Sequence, residues 1–426
     1  MRIRLGFAAM LALVVVLALG STGTSAAPAA APGENAVVHW SGIAEVAIAA
    51  GRPPASSTPL AAMVHGAMYD AVAAVEGGLE PFATGVTAPP DASADAAVAQ
   101  AARDVLVARV PAQAAAVQAA YDAFMAPIPA GPAKDAGKAV GTAAAAGMLA
   151  LRTGDHFDDV VLYVQPTPGV GIFEPIALTP PVDVKLGTVR PFTFDSPSQY
   201  RPAEPYELTS KRYARDVDEL KEIGGAVSAR TPAQTEHSRF FSDQAYAQYS
   251  RSLRGIAVSH RLDLAESARL LGYVWVAAAD TMIACWEAKY HHYLWRPNHA
   301  IQRADTDGNP ATSPDPTWLP LLTGNHPEYP SGHACLTAAI TQSLKGYFGT
   351  KRVEMTFTSN VVGVGGAKTY ATLEDVVAAI EDARVWGGLH FRTTMTETAK
   401  HFPRIAKDVG KRFFLGPGDR RNADDD

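Results

Sequence analysis

The chain has 426 residues, 47% of them hydrophobic and 19% charged, with 37 Lys and Arg against 43 Asp and Glu. That is an ordinary globular composition with enough chain for one large core or two smaller ones. A net charge of -6 without a basic tract excludes nucleic acid as a partner, and two cysteines exclude a disulfide scaffold.

The first residues read as a secretory signal. Arg2 and Arg4 form a positive start, Phe7 to Leu19 an apolar run, and Thr24-Ser25-Ala26 a set of small residues for cleavage. Residues 1–26 are therefore expected to be a Sec-type signal peptide, because the arginines are not paired as in a twin-arginine signal. A mature start near Ala27 and a loose Ala/Pro stretch to Pro32 would follow, in a secreted, extracellular protein. No second membrane span is expected: the best candidate, Leu270 to Trp286, is interrupted by Asp280 and reads as a buried core helix.

Residues 33–154 read as an N-terminal helical layer. Leu60 to Val75 carries apolar residues at helical spacing, while Ala94 to Met125 and Ala133 to Leu151 are rich in alanine, the strongest helix former. Pro111 and Pro127 punctuate them. Residues 155–208 are a Pro/Gly-rich excursion, with a short strand pair expected inside it. A segment this long is either the rim of a binding site or a plain connector.

Residues 209–418 read as the helical catalytic core, forming one integrated domain with 33–154. Its strongest helices are Thr231 to Leu253 and Leu262 to Tyr290, the second delivering Lys289 from its last turn. Pro297 is expected to end or redirect the chain, and Asp305 to Pro320 to be a loop. His333 to Tyr347 reads as helix. Thr372 opens another with Asp375 three residues on, a capping-box pattern, and this helix ends near Gly387-Gly388. His390 opens a last helix. Cys285 and Cys335 lie beside these segments and are read either as one bridge or as separate buried thiols.

Three pieces in this region make an oxyanion cradle: Lys289-x6-Arg296-Pro297, Pro330-Ser331-Gly332-His333 and Arg384-x5-His390. Lys supplies a point charge and Arg a planar fork, and both suit phosphate or vanadate. Ser-Gly-His begins a helix, where free N–H groups and the dipole favour an anion. Gly332 lets the backbone approach closely, Ser331 adds a hydroxyl, and His333 can serve as general acid or base.

Over Ala279 to Thr394 the ordered triple resembles the superfamily that joins vanadium-dependent haloperoxidases with type-2 phosphatidic acid phosphatases and bacterial acid phosphatases. The resemblance implies an all-α helical bundle with the site inside it. It implies that Lys289, Arg296, Arg384, Ser331 and Gly332 hold the anion. His333 is then the acid–base residue, and His390 is the axial vanadium ligand or, in a phosphatase, the phosphorylated nucleophile.

As a haloperoxidase the protein would hold vanadate and use hydrogen peroxide, polarised chiefly by Lys289, to oxidise halide for transfer to an organic acceptor. As a secreted acid phosphatase it would cleave phosphate monoesters through His390, with His333 protonating the leaving alcohol. An inactive oxyanion-binding relative is the third reading. His326, seven residues before His333, resembles a second pocket histidine of algal bromoperoxidases. Trp286, three before Lys289, resembles an aromatic lining the halide pocket of fungal chloroperoxidases. Relatives usually carry Asp four residues after the ligand histidine, where this chain has Thr394, and Ser before the third-piece arginine, where it has Ala383. The Thr394 change weakens the phosphatase reading and, to a smaller degree, the haloperoxidase one; together with His326 and Trp286 it leads to the expectation of a bromide-preferring haloperoxidase. A homo-oligomer is expected only by analogy. His291, His292 and His299 are read as rim groups, because no Cys or paired carboxylate completes a zinc set.

Overall fold

The structure is a computed structural model and describes residues 34–176 and 180–416. The expected signal peptide, the start near Ala27 and the stretch to Pro32 lie outside the described residues.

The all-α expectation holds. Helices α1 (Ala36–Ala49), α2 (Pro54–Glu76), α3 (Ala94–Arg109), α4 (Ala114–Met125) and α5 (Pro132–Leu151) precede the excursion. The 94–125 segment divides at Pro111, which opens a 3-10 turn between α3 and α4. The alanine bias has a packing cause. A Cβ at Gly137 would stand 2.3 Å from the Ser93 carbonyl oxygen, and one at Gly141 the same distance from that of Ala97, so α5 lies on α3 at backbone contact.

The second part holds α6 (Lys211–Glu219), α7 (Pro232–Phe240), α8 (Ala245–Ser259), α9 (Leu264–His292) and α10 (Pro297–Gln302). It continues with α11 (Gly332–Phe348), α12 (Leu373–Trp386), α13 (Arg392–His401) and α14 (Pro403–Arg412). One buried apolar cluster includes residues from Ala36 to Phe414.

Several boundaries differ from expectation. The 231–253 helix breaks after Phe240, because the Gln244 side chain accepts from the Ala247 N–H and starts a new helix there. Pro297 opens α10 at its first position instead of only ending what precedes it. His390 lies two residues before α13. The sheet is β1 (Met355–Thr358) paired antiparallel with β2 (Ala367–Tyr370). No strand pair occurs among the described residues of the excursion, where Ile172 makes only an isolated bridge to Leu294.

Helix α9 is long and apolar enough to cross a membrane, yet 94% of its most apolar window is buried inside the protein. Asp280 has a structural task there. Its carboxylate accepts from the N–H of Phe192 at 2.6 Å and of Thr193 at 3.0 Å, and from the Thr193 hydroxyl at 2.5 Å. The acid that interrupts the apolar run is the clamp that holds the excursion against the core. Farther along α9, Trp286 Nε1 and the Tyr290 hydroxyl both donate to the Val182 carbonyl. Val182 and Asp183 line the cavity described below, so the excursion is a rim.

Candidate functional site

The end of α9, the start of α11, the end of α12 and the loop before α13 converge on one cavity of about 290 Å³. Arg296, His326, Gly332, His333, Arg384, His390 and Trp286 line it. The capping box at Thr372 and Asp375 sets the start of α12, which carries Arg384 in its last turn. Gly388 then takes φ +72, and a Cβ there would stand 2.3 Å from the Gly224 carbonyl oxygen. Only glycine can make the turn that brings His390 back to the cavity.

Arg296 is the hub. Its Nε donates to the His326 carbonyl and its Nη1 to the Leu389 carbonyl, both at 2.6 Å. Its Nη2 lies 3.0 and 3.1 Å from the two ring nitrogens of His326, and Nη1 lies 3.4 Å from His390 Nε2. A Cβ at Gly324 would meet Nη2 at 2.6 Å, so the guanidinium occupies space that only glycine leaves. Arg384 Nη1 donates to the Phe241 carbonyl, while its Nε has no partner among the described residues. His333 Nε2 is likewise buried without a partner among those residues.

Two cradle residues do not line the cavity. Lys289 is fully buried, and its ammonium donates to the carbonyls of Pro327 at 2.8 Å, Glu328 at 3.2 Å and Pro330. Three donors are thereby committed to the loop before the Ser-Gly-His turn. Ser331 caps α11, its hydroxyl oxygen accepting from the Ala334 N–H at 3.4 Å, and its own N–H donates to Thr398. Both act from behind the wall, one by charge and one by shaping the turn.

The electrostatics follow from burying like charges together. Burial, then the field of Arg296, hold the Lys289 ammonium well below its ordinary range. Burial lowers Arg296 to about 10 and Arg384 to about 9, so both remain cations at neutral pH. Burial and the three cations hold His326, His333 and His390 well below 6.5. A vanadate or phosphate fits this set: buried cationic side chains, an orphaned Arg384 Nε donor, an orphaned His333 ring nitrogen and a cavity between them call for a protonatable polyanion.

Glu328 is the residue that the sequence reading passed over. It is fully buried, and burial pushes its carboxyl up to about 7 although the Thr394 hydroxyl and nearby cations pull it down. Its Oε1 lies 2.9 Å from His390 Nδ1 and accepts from the Phe391 N–H at 3.0 Å. Its Oε2 accepts from the Thr394 hydroxyl at 2.8 Å. The available signal was an acid inside His326-Pro327-Glu328-Tyr329-Pro330-Ser331-Gly332-His333 in a chain lacking one at 394.

Trp286 and His326 meet at a ring distance of 5.4 Å and form one wall. His291, His292 and His299 do not line the cavity. Glu204, from the excursion, brings a carboxylate within 3.1 Å of His292 Nδ1 and 3.9 Å of His291 Nε2, a proximity that sequence spacing did not reveal. Cys285 and Cys335 form a disulfide that ties α9 to α11. The bridge reading of the two cysteines is thus the one the structure adopts.

Residues 269–414 match the VCPO second helical-bundle domain. Over 120 residues the chain is 34% identical to the vanadium chloroperoxidase of Curvularia inaequalis, covering 24% of this chain and only 19% of that relative's length. Among solved structures it is similar to a bacterial vanadium-dependent iodoperoxidase, with a TM-score of 0.73 at 20% identity over 88% of this chain and 94% of the other. A holo-type bacterial vanadium-dependent chloroperoxidase gives a TM-score of 0.67 at 18% identity, over 85% and 94%. These likenesses show the fold.

Proposed function

We propose, for a chain that belongs to the superfamily joining vanadium-dependent haloperoxidases with type-2 phosphatidic acid phosphatases, that it is a secreted vanadium-dependent haloperoxidase preferring bromide. The observation that supports this most is the convergence of Arg296, Arg384, His333 and His390 on one cavity with Lys289 buried behind it. A bound vanadate would supply a Lewis acid that activates hydrogen peroxide toward halide.

The chain's own residues would do the rest. Arg296 and Arg384 bind and orient the anion's oxygens, with the Gly332 backbone close beside them. Lys289 adds positive potential in a site sheltered from solvent, where charge acts strongly. His390 offers Nε2 as the ligand atom. His333, neutral at working pH because burial and Arg384 depress it, takes a proton at Nε2 and returns it. Trp286, His326, Met282 and Leu389 give halide a largely apolar wall with one imidazole in it, which is the basis for favouring bromide. Hydrogen peroxide, halide and an organic acceptor would be the small-molecule partners of this cavity.

Purified protein loaded with vanadate should brominate a phenol-type dye when given bromide and hydrogen peroxide. An aryl phosphate ester without vanadate runs in parallel. Phosphate release with no halogenation would sink the proposal, and so would activity surviving in His390→Ala. Export is tested separately: amino-terminal sequencing of protein from the medium should begin near Ala27.

A further inference from the structure

We propose that Glu328 is the positioning residue for His390, with the Thr394 hydroxyl holding its second oxygen in place. The proposal rests on the reading of His390 as the ligand residue. Both Glu328 oxygens are committed to the segment that carries His390. One bonds His390 Nδ1 and the Phe391 N–H, the other the Thr394 hydroxyl one helical turn on. A carboxylate at 394 could not make this arrangement, since two ionised acids would meet where donor now faces acceptor. The threonine is therefore the complement of the acid that reaches it from the loop before α11.

The bond also chooses the tautomer of His390. Its two nitrogens have opposite neighbours. Nδ1 faces a carboxylate that already accepts from two other donors, so Nδ1 carries the hydrogen. Nε2 faces the Arg296 guanidinium, which has donors and no acceptor, so Nε2 holds a lone pair. Both neighbours select the form in which Nε2, on the cavity side, can donate to a central atom. A ligand histidine held at its other nitrogen by a carboxylate is also a stronger base. Lys289 fixes the backbone from which this acid reaches, through its bond to the Glu328 carbonyl.

The test separates position from chemistry. Orthovanadate and inorganic phosphate binding are measured by equilibrium dialysis on wild type, Glu328→Ala and Glu328→Ala/Thr394→Asp, and the His390 tautomer by nitrogen-15 NMR on wild type. Glu328→Ala should weaken vanadate binding by about 10- to 100-fold, the usual effect of losing such a partner. Adding Thr394→Asp should recover most of that loss, whereas Thr394→Asp alone should bind more weakly than wild type. An Nε2–H tautomer in the wild type overturns the proposal, and so does Glu328→Ala that binds vanadate as tightly as wild type. Failure of the second substitution to rescue a folded Glu328→Ala protein also overturns it. Should Glu328→Ala not fold, the wild-type tautomer decides. A wild type that shows the Nδ1–H form but neither binds vanadate nor halogenates sinks the functional reading and leaves the positioning role standing.

Discussion

The indole of Trp286 fills the space that a side chain on residue 332 would need: a Cβ at Gly332 would stand 2.8 Å from Cη2 and 2.9 Å from Cζ3 of that ring. The ring cannot swing aside cheaply, because its Nε1 donates to the Val182 carbonyl at 3.2 Å and the residue is only 4% exposed. Gly332→Ala should therefore displace either the α11 start or the halide wall. We expect vanadate affinity to fall at least about tenfold and stability by about 1–3 kcal/mol, the scale of an overpacked core. Dialysis and urea unfolding measure the two. The double variant Gly332→Ala/Trp286→Leu should regain part of the stability, and full additivity of the two changes would show that they do not meet.

Much of this site was legible because its chemistry lies in local patterns. Lys289 at a helix end, Ser331 as a cap and Gly388 at a turn each follow from neighbours in sequence. What stayed hidden depends on approach between distant segments. Glu328 is meaningful only because it touches His390 and Thr394, and Asp280 only because the excursion folds back onto it. Sequence spacing could place Lys289 in the cradle but could not say that its donors face carbonyls behind the wall. The β1–β2 hairpin was missed although Met355-Thr356-Phe357-Thr358 alternates buried and exposed, since four residues are too short a run to stand out.

Burial lowers Lys289, Arg296 and Arg384 against their free state, and repulsion between cations adds to it at Lys289 and Arg384. An oxyanion in the cavity relieves that repulsion. Vanadate or phosphate at about a hundred times its Kd should stabilise the protein by about 2.7 kcal/mol, read as a rise in Tm. In Lys289→Met the same anion concentration, no longer a hundredfold excess over the raised Kd, should give less than half the wild-type shift in Tm. Equal shifts in the two proteins would show that Lys289 contributes no potential to the anion.

The Cys285–Cys335 bridge closes a loop of 50 residues that contains Lys289, Arg296, His326, Glu328, Ser331 and His333. A cross-link of this span removes freedom from the unfolded chain, by roughly 2–4 kcal/mol in stability. Urea unfolding with and without reductant should differ by that amount, and Cys285→Ser/Cys335→Ser should behave as the reduced wild type does. Because Cys285 lies one helical turn before Lys289 and Cys335 two residues after His333, vanadate affinity should fall in parallel. A reduced protein as stable as the oxidised one would remove the bridge from the list of things that hold the site together.

His65 should govern acid sensitivity. It is buried on α2 against Trp275 at a ring distance of 6.2 Å, and neither ring nitrogen has a partner among the described residues. Burial, with the Arg254 charge adding to it, lowers its pKa to about 3. The sign follows from counting protons. Above the unfolded value of 6.5, both states carry neutral imidazole and His65 makes stability independent of pH. As pH falls below 6.5 the unfolded chain takes up a proton that the native state refuses, so stability drops until pH nears 3. At pH 5 the loss from this one group is about 2 kcal/mol. His65→Phe keeps the ring against Trp275 and removes the proton site. Its stability relative to wild type should therefore improve by about that amount between pH 7 and pH 5, measured by urea unfolding at both values. A constant difference between the two proteins across that range would mean that His65 is protonated inside the fold.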